Sequence, residues 1–517
     1  MYSFFERIIA PFPQSDPVQA PSTLVAFCRH YTQGMGATLM LMSVTTAAMA
    51  VFEVQLFGFL GQLVDWLISK DPQTLWRDER STLIFWSVML LLVMPLVVLL
   101  NRMLIHQALL GNFPMSIRWL AHRYLLQQSV SFYQNDFAGR IATKVMQTSL
   151  AVRETVTKLL DVMVYVLVYF GTMLFVVAQA DGRMMLPVLV WLLLYIGVQL
   201  IFVPRLKAVA TEQANARSDM TGRIVDSYTN INTVKLFSHS QRESDYARDG
   251  MQGFLTTVYC QMRLATGLSA SVSALNYLLV FSTAALSIWL WSENSISIGA
   301  IAIAVGLAMR LNGMSQWIMW EVSALFENIG TVLDGIKTLS QPQTVVDKPG
   351  AEVLDVVAGA IEFNDVGFHY GQDAGVIDGL SLTIKAGEKV GVVGRSGAGK
   401  STLVNLLLRF YDLAEGKISI DGQDISAVQQ ESLRAHIGMV TQDTSLLHRS
   451  VRENILYGHP DASEQALLAA AEQAEAMEFI HELTDPDGNK GFDAQVGERG
   501  VKLSGGQRQR IAIARVL

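Results

Sequence analysis

Between Tyr31 and Trp320 the chain alternates long apolar stretches with charged ones. Residues 31–52, 81–101, 162–180, 184–204 and 264–292 contain no Asp, Glu, Lys or Arg, and a sixth stretch runs from Ser297 to Trp320 with Arg310 inside it. About 20 apolar residues in a helix cross the hydrocarbon core of a bilayer, so the pattern predicts six spanning helices. The connections between them differ in charge. Residues 102–158 and 205–263 carry seven and eight Lys or Arg, whereas 53–80, 181–183 and 293–297 carry three, one and none. Cytoplasmic loops retain basic residues, which predicts both termini on the cytosolic side. The two basic connections are too long for turns. Ile117, Leu120, Tyr124 and Leu125 in the first, and Ile224, Tyr228 and Ile231 in the second, fall at the spacing of amphipathic helices. Either these are solvated hairpins, or the spans continue as helices into the cytosol and end in short elements that touch something there.

Composition agrees with a membrane protein. Hydrophobic residues make up 51% of the chain and charged ones 16%, against about 25% charged in an ordinary soluble domain. A net charge of −7 gives no reason to expect nucleic acid. Cys28 and Cys260 are too few for a disulfide framework and have no metal-ligand spacing. The N-terminus "MYSFFERIIAPFPQSD" lacks the features of a cleaved signal peptide, so a plasma membrane is the default location, the inner membrane in a bacterium.

Beyond "LSQPQTVVDKPGAEV", a linker-like stretch, the periodicity changes. "AIEFNDVGFHY" and "LSLTIKAGEKVGVVG" read as strands. The second leads into "GRSGAGKST", the residues Gly394, Arg395, Ser396, Gly397, Ala398, Gly399, Lys400, Ser401 and Thr402, which match G-x-x-x-x-G-K-[ST]. Glycines let the backbone curl so that its N–H groups point at phosphates. The following helix adds the positive end of its dipole. Lys400 is placed to reach the β- and γ-phosphates of ATP, and the Ser401 hydroxyl to ligate Mg²⁺. Leu403, Leu406, Leu407 and Phe410 mark the apolar face of that helix.

With "LSGGQ" at Leu503, Ser504, Gly505, Gly506 and Gln507, the chain resembles an ATP-binding cassette (ABC) half transporter of the exporter type over nearly its whole length. The resemblance implies an all-α six-helix transmembrane domain followed by an α/β P-loop nucleotide-binding domain, incomplete at its C-terminus. Residues 1–34 are then a cytosolic or interfacial segment and 35–338 the membrane domain. Residues 339–358 are a linker and 359–517 the nucleotide-binding domain. It further implies that Tyr370 stacks on adenine and that Gln442 touches Mg²⁺. "VGERG" (496–500), "NDFAGRIATKVMQ" (135–147) and "NINTVKLFSHSQRES" (230–244) resemble the segments that join the two domains. In this family each ATP lies between the P-loop of one domain and the LSGGQ of another. A second half transporter, identical or related, is thereby implied as partner, with a small-molecule, lipid or peptide substrate.

The hydrolytic Asp-Glu pair and switch histidine of the family follow the signature. His436, His448, His459 and His481 all precede it, and the sequence stops inside an amphipathic helix at Leu517. A truncated chain is expected; the alternative is a non-hydrolysing nucleotide-binding subunit of a heterodimer or regulatory complex. Importers and channels use similar cassettes, but importers usually keep the membrane domain on a separate chain. Inside the membrane stretches, Arg310 and Glu53 either line a cavity or form a structural pair. Met309, Met314, Trp317, Met319 and Trp320 read equally as a soft substrate surface or as packing.

Overall fold

Surrounded by lipid, an apolar stretch satisfies its backbone groups internally only as a helix. The computed structural model describes residues 2–134, 138–237, 239–371, 376–441, 445–497 and 501–517. The chain divides into two units, Met1–Gln127 with Asp136–Pro342, and Gln128–Asn135 with Gln343–Leu517.

Among the described residues of the first unit, six helices are long and apolar enough to cross a membrane: Gly36–Ser69, Arg80–Leu126, Ala138–Ala180, Gly182–Thr229, Ser240–Ser292 and Ile298–Leu339, the first to sixth spans. The first begins later than the residue-31 start read from hydropathy. Leu24–Tyr31 is a separate helix, followed by Gly34 in the left-handed region at φ +81°. Glu53 therefore lies at mid-helix, not at a helix end. The fourth span runs through Pro204 to Thr229 and the fifth starts at Ser240, so the basic connections are largely helical. Ile117, Tyr124 and Leu125 are buried as their spacing predicts. In the second connection Tyr228 and Ile231 are exposed. Periodicity marks a helix face there, but burial also needs a neighbour, and no described residue covers it.

The core of this unit joins Tyr169 and Met173 of the third span to Trp191 and Tyr195 of the fourth, Val272 and Leu279 of the fifth, and Leu307 and Leu311 of the sixth. Trp191 stacks between Phe170 and Tyr195 at centroid distances of 5.9 and 5.1 Å. Its indole N–H donates to Asn276 Oδ1 (3.0 Å), and Asn276 Nδ2 donates to Asn312 Oδ1 (3.0 Å) and Ser315 Oγ (2.8 Å). The first and sixth spans touch through glycines: a Cβ on Gly299 would stand 2.2 Å from the Gly61 carbonyl oxygen. Asp65 of the first span holds the start of the sixth, accepting from Gly299 N and from Ser297 Oγ at 2.7 Å each.

The second unit carries an antiparallel sheet of β1 (Ile361–Phe368), β2 (Ile377–Ile384), β3 (Glu415–Ile420) and β4 (Gln423–Asp424), ordered β2-β1-β3-β4. Phe363, Val366, Phe368, Ile418 and Ile420 form its core with Leu406 and Leu433. β3 turns into β4 through Asp421 (φ 47°) and Gly422 (φ 79°), the two positive φ angles that a two-residue hairpin turn requires. A second core packs Val451, Ile455 and Leu467 against Ile511 and Ala514.

Two expectations change here. "KVGVVG" is not a strand: among the described residues nothing pairs with it, and Val393 is 94% exposed. A buried strand of a parallel sheet needs neighbours, which this run lacks. The short helix of the first basic connection is Val130–Gln134, just before the 135–147 segment that the resemblance points to. Of that segment, residues 135–137 lie outside the described residues and Ala138 onward belongs to the third span. Ser129 Oγ accepts from Thr344 N (3.2 Å) and Val345 N (3.0 Å), and Tyr411 donates its hydroxyl proton to Gln134. The second segment that the resemblance points to does contain a short helix, Ile231–Leu236.

Candidate functional site

Residues 394–402 form a turn that opens into the helix Lys400–Leu407. Gly397 (φ 84°) and Gly399 (φ 81°) adopt the left-handed conformation that side chains disfavour, which is why the loop needs glycine there. Buried Leu406 anchors the helix in the sheet core, so the exposed loop stands on a fixed base. Lys400 Nζ donates to the carbonyl oxygens of Gly394 and Arg395, both at 2.8 Å. A cation held only by neutral carbonyls beside a helix N-terminus suits an incoming phosphate, which binds it more strongly. The exposed Ser401 hydroxyl has no hydrogen-bond partner among the described residues and is available to a cation such as Mg²⁺. These residues therefore fit both ATP phosphates and the metal that accompanies them.

Tyr370 lies close to the P-loop helix, donating to Thr402 Oγ1 at 3.1 Å while 45% of it stays exposed. It meets Tyr411 edge-on at 5.2 Å, the tyrosine bonded to Gln134. Gln442, and residues 498–500 of "VGERG", lie outside the described residues.

The signature residues occupy a separate place. Ser504 caps the helix Gly505–Val516: its Oγ accepts from Gln507 N (3.2 Å), and Gln507 Oε1 accepts from Ser504 N (2.8 Å). This capping box leaves the first amides of the helix facing outward. Gly505 and Gly506 are exposed with open space where a side chain would stand. Ile511 and Ala514 fix the helix in the second core, and Arg515 donates to Asn454 O (2.8 Å) and Oδ1 (2.9 Å). Among the described residues no hydrogen bond joins 394–402 to 503–507. There are thus two anion-ready helix starts, at Lys400 and at Gly505.

Sequence patterns overlooked three supporting residues. Asp421 accepts from the amides of Val357, Ala358, Gly359 and Ala360 at 2.8–2.9 Å, and these bonds, Gly359's foremost, hold its carboxyl down at about 2. Asp485 is likewise held at about 2, first by the Gln495 amide and then by the Asn489 side chain. Buried Arg409 donates to Val346 O (3.0 Å) and Val428 O (3.2 Å) and pairs with Asp412 at 3.1 Å, tying the linker to the segment that follows β4. Asp421 and Asp485 had legible signals, the Asp-Gly pair of a hairpin turn and the turn sequence Asp-Pro-Asp-Gly at 485–488, whereas Arg409 had none.

In the first unit, Arg310 pairs with Glu53, Nη2 to Oε1 at 2.6 Å and Nε to Oε1 at 2.7 Å. Both also line a cavity, so the two sequence alternatives hold together. Met314 and Trp317 lie on its wall; Met309 and Trp320 are exposed and Met319 is buried in the core.

The model of the ABC transporter transmembrane region matches residues 37–314, more than half of the chain, and that of the ABC transporter domain matches 377–517. The chain belongs to the ABC transporter family. It is a half transporter of exporter type, with six spans fused to one nucleotide-binding domain that carries the family's ATPase fold. This ABC transporter is 52% identical over 517 residues to an "Uncharacterized ABC transporter ATP-binding protein" of Haemophilus influenzae, covering 100% of this chain and 84% of the relative. It is 30% identical over 398 residues to the "Putative multidrug export ATP-binding/permease protein YgaD" of Bacillus subtilis, covering 76% and 67%. A solved bacterial Atm1-family ABC exporter with ATP bound is similar at a TM-score of 0.75 and 25% identity, over 95% of this chain and 84% of that one.

Proposed function

We propose that this ABC half transporter works as a dimer that exports an amphipathic substrate by alternating access, driven by ATP. The observation carrying this reading is the separation of two anion-ready helix starts, at Lys400 and at Gly505, on a chain fused to six spans. Each is half of a site that a second chain completes. When bound, ATP with Mg²⁺ supplies a cleavable phosphoanhydride and, on binding, a bridge between the two chains. Lys400 exchanges its carbonyl partners for phosphate oxygens, while the amides of residues 396–402 take the remaining phosphate charge. Ser401 and Gln442 hold Mg²⁺, and Tyr370 stacks on adenine. Leu503, Ser504, Gly505, Gly506 and Gln507 close over the nucleotide of the partner chain. The Tyr411–Gln134 bond carries that closure to the first basic connection. The charge asymmetry of the connections supports cytosolic termini in a plasma membrane, and the multidrug-export names of relatives favour outward transport.

The test is the full-length protein reconstituted in vesicles, with ATPase rates measured across a panel of amphipaths. Stimulated hydrolysis with ATP-dependent accumulation in inside-out vesicles is expected, and Lys400→Ala abolishes both. ATP binding without any hydrolysis would instead identify a non-hydrolysing subunit. Accumulation in right-side-out vesicles would reverse the direction.

A further inference from the structure

The cavity in the first unit has a volume of about 320 Å³ and four charged side chains that balance, Glu53 and Asp161 against Arg102 and Arg310. Only one pair is closed. Glu53 binds Arg310 through one oxygen and accepts the Tyr165 hydroxyl at the other. Nearby, Lys158 is likewise closed on Glu321. Asp161 and Arg102 are different: among the described residues neither has an ion-pair partner. Asp161 accepts a hydrogen bond from Thr46, whose hydroxyl oxygen accepts from buried Asn101 at 3.0 Å. Arg102 has no hydrogen-bond partner among the described residues and is exposed. Arg102 and Asp161 stand just outside the charge-free stretches 81–101 and 162–180, and their opposite charges are left open on the cavity wall.

Of the three π-helical turns among the described residues, one contains Asp161, one follows Arg102, and the third, Met89–Val93, lies at neither. Asp161 sits within a π-helical turn, Lys158–Val162, and a second, Leu104–Leu109, begins two residues after Arg102. Such turns are rare and concentrate at functional sites. Around the charges the wall is soft and apolar, formed by Met49, Met314 and Trp317. A lipophilic cation would call for an excess of carboxylates and a simple anion for an excess of guanidiniums, and the balance here favours neither.

We propose that this cavity binds a zwitterionic amphipath, with Asp161 meeting its cationic group, Arg102 its anionic group, and Met49, Met314 and Trp317 its apolar chain. The proposal rests on the export reading for its physiological role, though not for the binding itself.

The experiment uses four ligands with one dodecyl chain: dodecylphosphoethanolamine, dodecylamine, dodecyl phosphate and dodecanol. Binding to the full-length protein in an uncharged maltoside detergent, without ATP, is read as the part of tryptophan quenching that Trp317→Phe removes. In the wild type the zwitterion binds tightest. One charge-assisted contact corresponds to about tenfold in affinity. Asp161→Asn therefore weakens the zwitterion and the amine about tenfold while dodecyl phosphate is unchanged, and Asp161→Glu restores them. Arg102→Gln weakens the zwitterion and the phosphate while the amine is unchanged. Amine or phosphate binding as tightly as the zwitterion in the wild type, which involves no variant, overturns the proposal. So does either variant weakening all four ligands alike. Dilauroyl phosphatidylethanolamine separates the sources: tighter binding than the single-chain zwitterion assigns the site to a bilayer lipid, weaker binding to a free amphipath. Should binding follow this ranking while ATPase and transport are absent, the export reading fails and the site stands. Should transport proceed while the ranking fails, the site alone falls.

Discussion

At Gly505 two requirements meet in one residue. It opens the signature helix behind the Ser504 cap, and nothing stands within 4 Å of the Cβ it lacks. An aspartate there fits and favours the helix, because a negative side chain suits a helix N-terminus. The same charge repels a phosphate arriving from a partner chain. Gly505→Asp is therefore expected to leave thermal stability and ATP binding intact while lowering ATPase on the order of 100-fold, as the loss of an oxyanion contact does. A parallel loss of ATP binding would place the signature and the P-loop in one intrachain site. Asp421 gives a residue-scale prediction with a pH sign. Its carboxyl sits at about 2 in the folded chain, below an unfolded value of about 3.9, so its stabilisation is full above that value and fades as pH falls towards 2. Asp421→Asn, which puts an amide donor among four backbone N–H groups, should lower Tm at pH 7. The gap from the wild type should narrow between pH 4 and pH 2, and a gap independent of pH would exclude the charged carboxylate as the cause.

Among the elements, the fourth, fifth and sixth spans are joined by a polar knot within an apolar core. Asn276 accepts from Trp191 and donates to Asn312 and Ser315, so each of its polar groups has a partner. Removing it strands the Trp191 N–H, although Ser315 still donates to Asn312 O, and a buried group left unpaired costs about 1–3 kcal/mol. Asn276→Ala should accordingly lower the detergent-solubilised Tm more than Ser282→Ala, whose hydroxyl bonds only within its own helix. Equal shifts would mean that the knot contributes nothing beyond local packing. The helices were readable because their apolar stretches are long and free of charge. Their true lengths were not, since 205–229 and 240–263 are polar and stay helical only as continuations of the fourth and fifth spans. The "KVGVVG" run shows the opposite failure: a strand-like composition without a partner to pair with.

For the whole molecule, the short helix Val130–Gln134 belongs to the same unit as the nucleotide-binding residues, although the sequence places it between two spans. Tyr411 joins Gln134 on one side and Tyr370 on the other. On the proposed mechanism, Tyr411→Phe breaks only the hydroxyl bond. ATP affinity should then hold within about twofold, since the ring packing is kept, while substrate stimulation of ATPase falls several-fold. Unchanged stimulation would route the coupling elsewhere.

The sequence by itself determined six spans, the P-loop and the signature, because each is written in contiguous residues whose spacing or φ requirement is local. It also placed Arg310 and Glu53 as intramembrane charges. Only the tertiary structure decided that they pair with each other while lining a cavity that Arg102 and Asp161 share. It likewise decided that Tyr370 reaches Thr402, and that four amides converge on Asp421. Glu53 and Arg310 are 257 positions apart, and no periodicity reports a contact at that distance; the packing of the first, third and sixth spans brings them together.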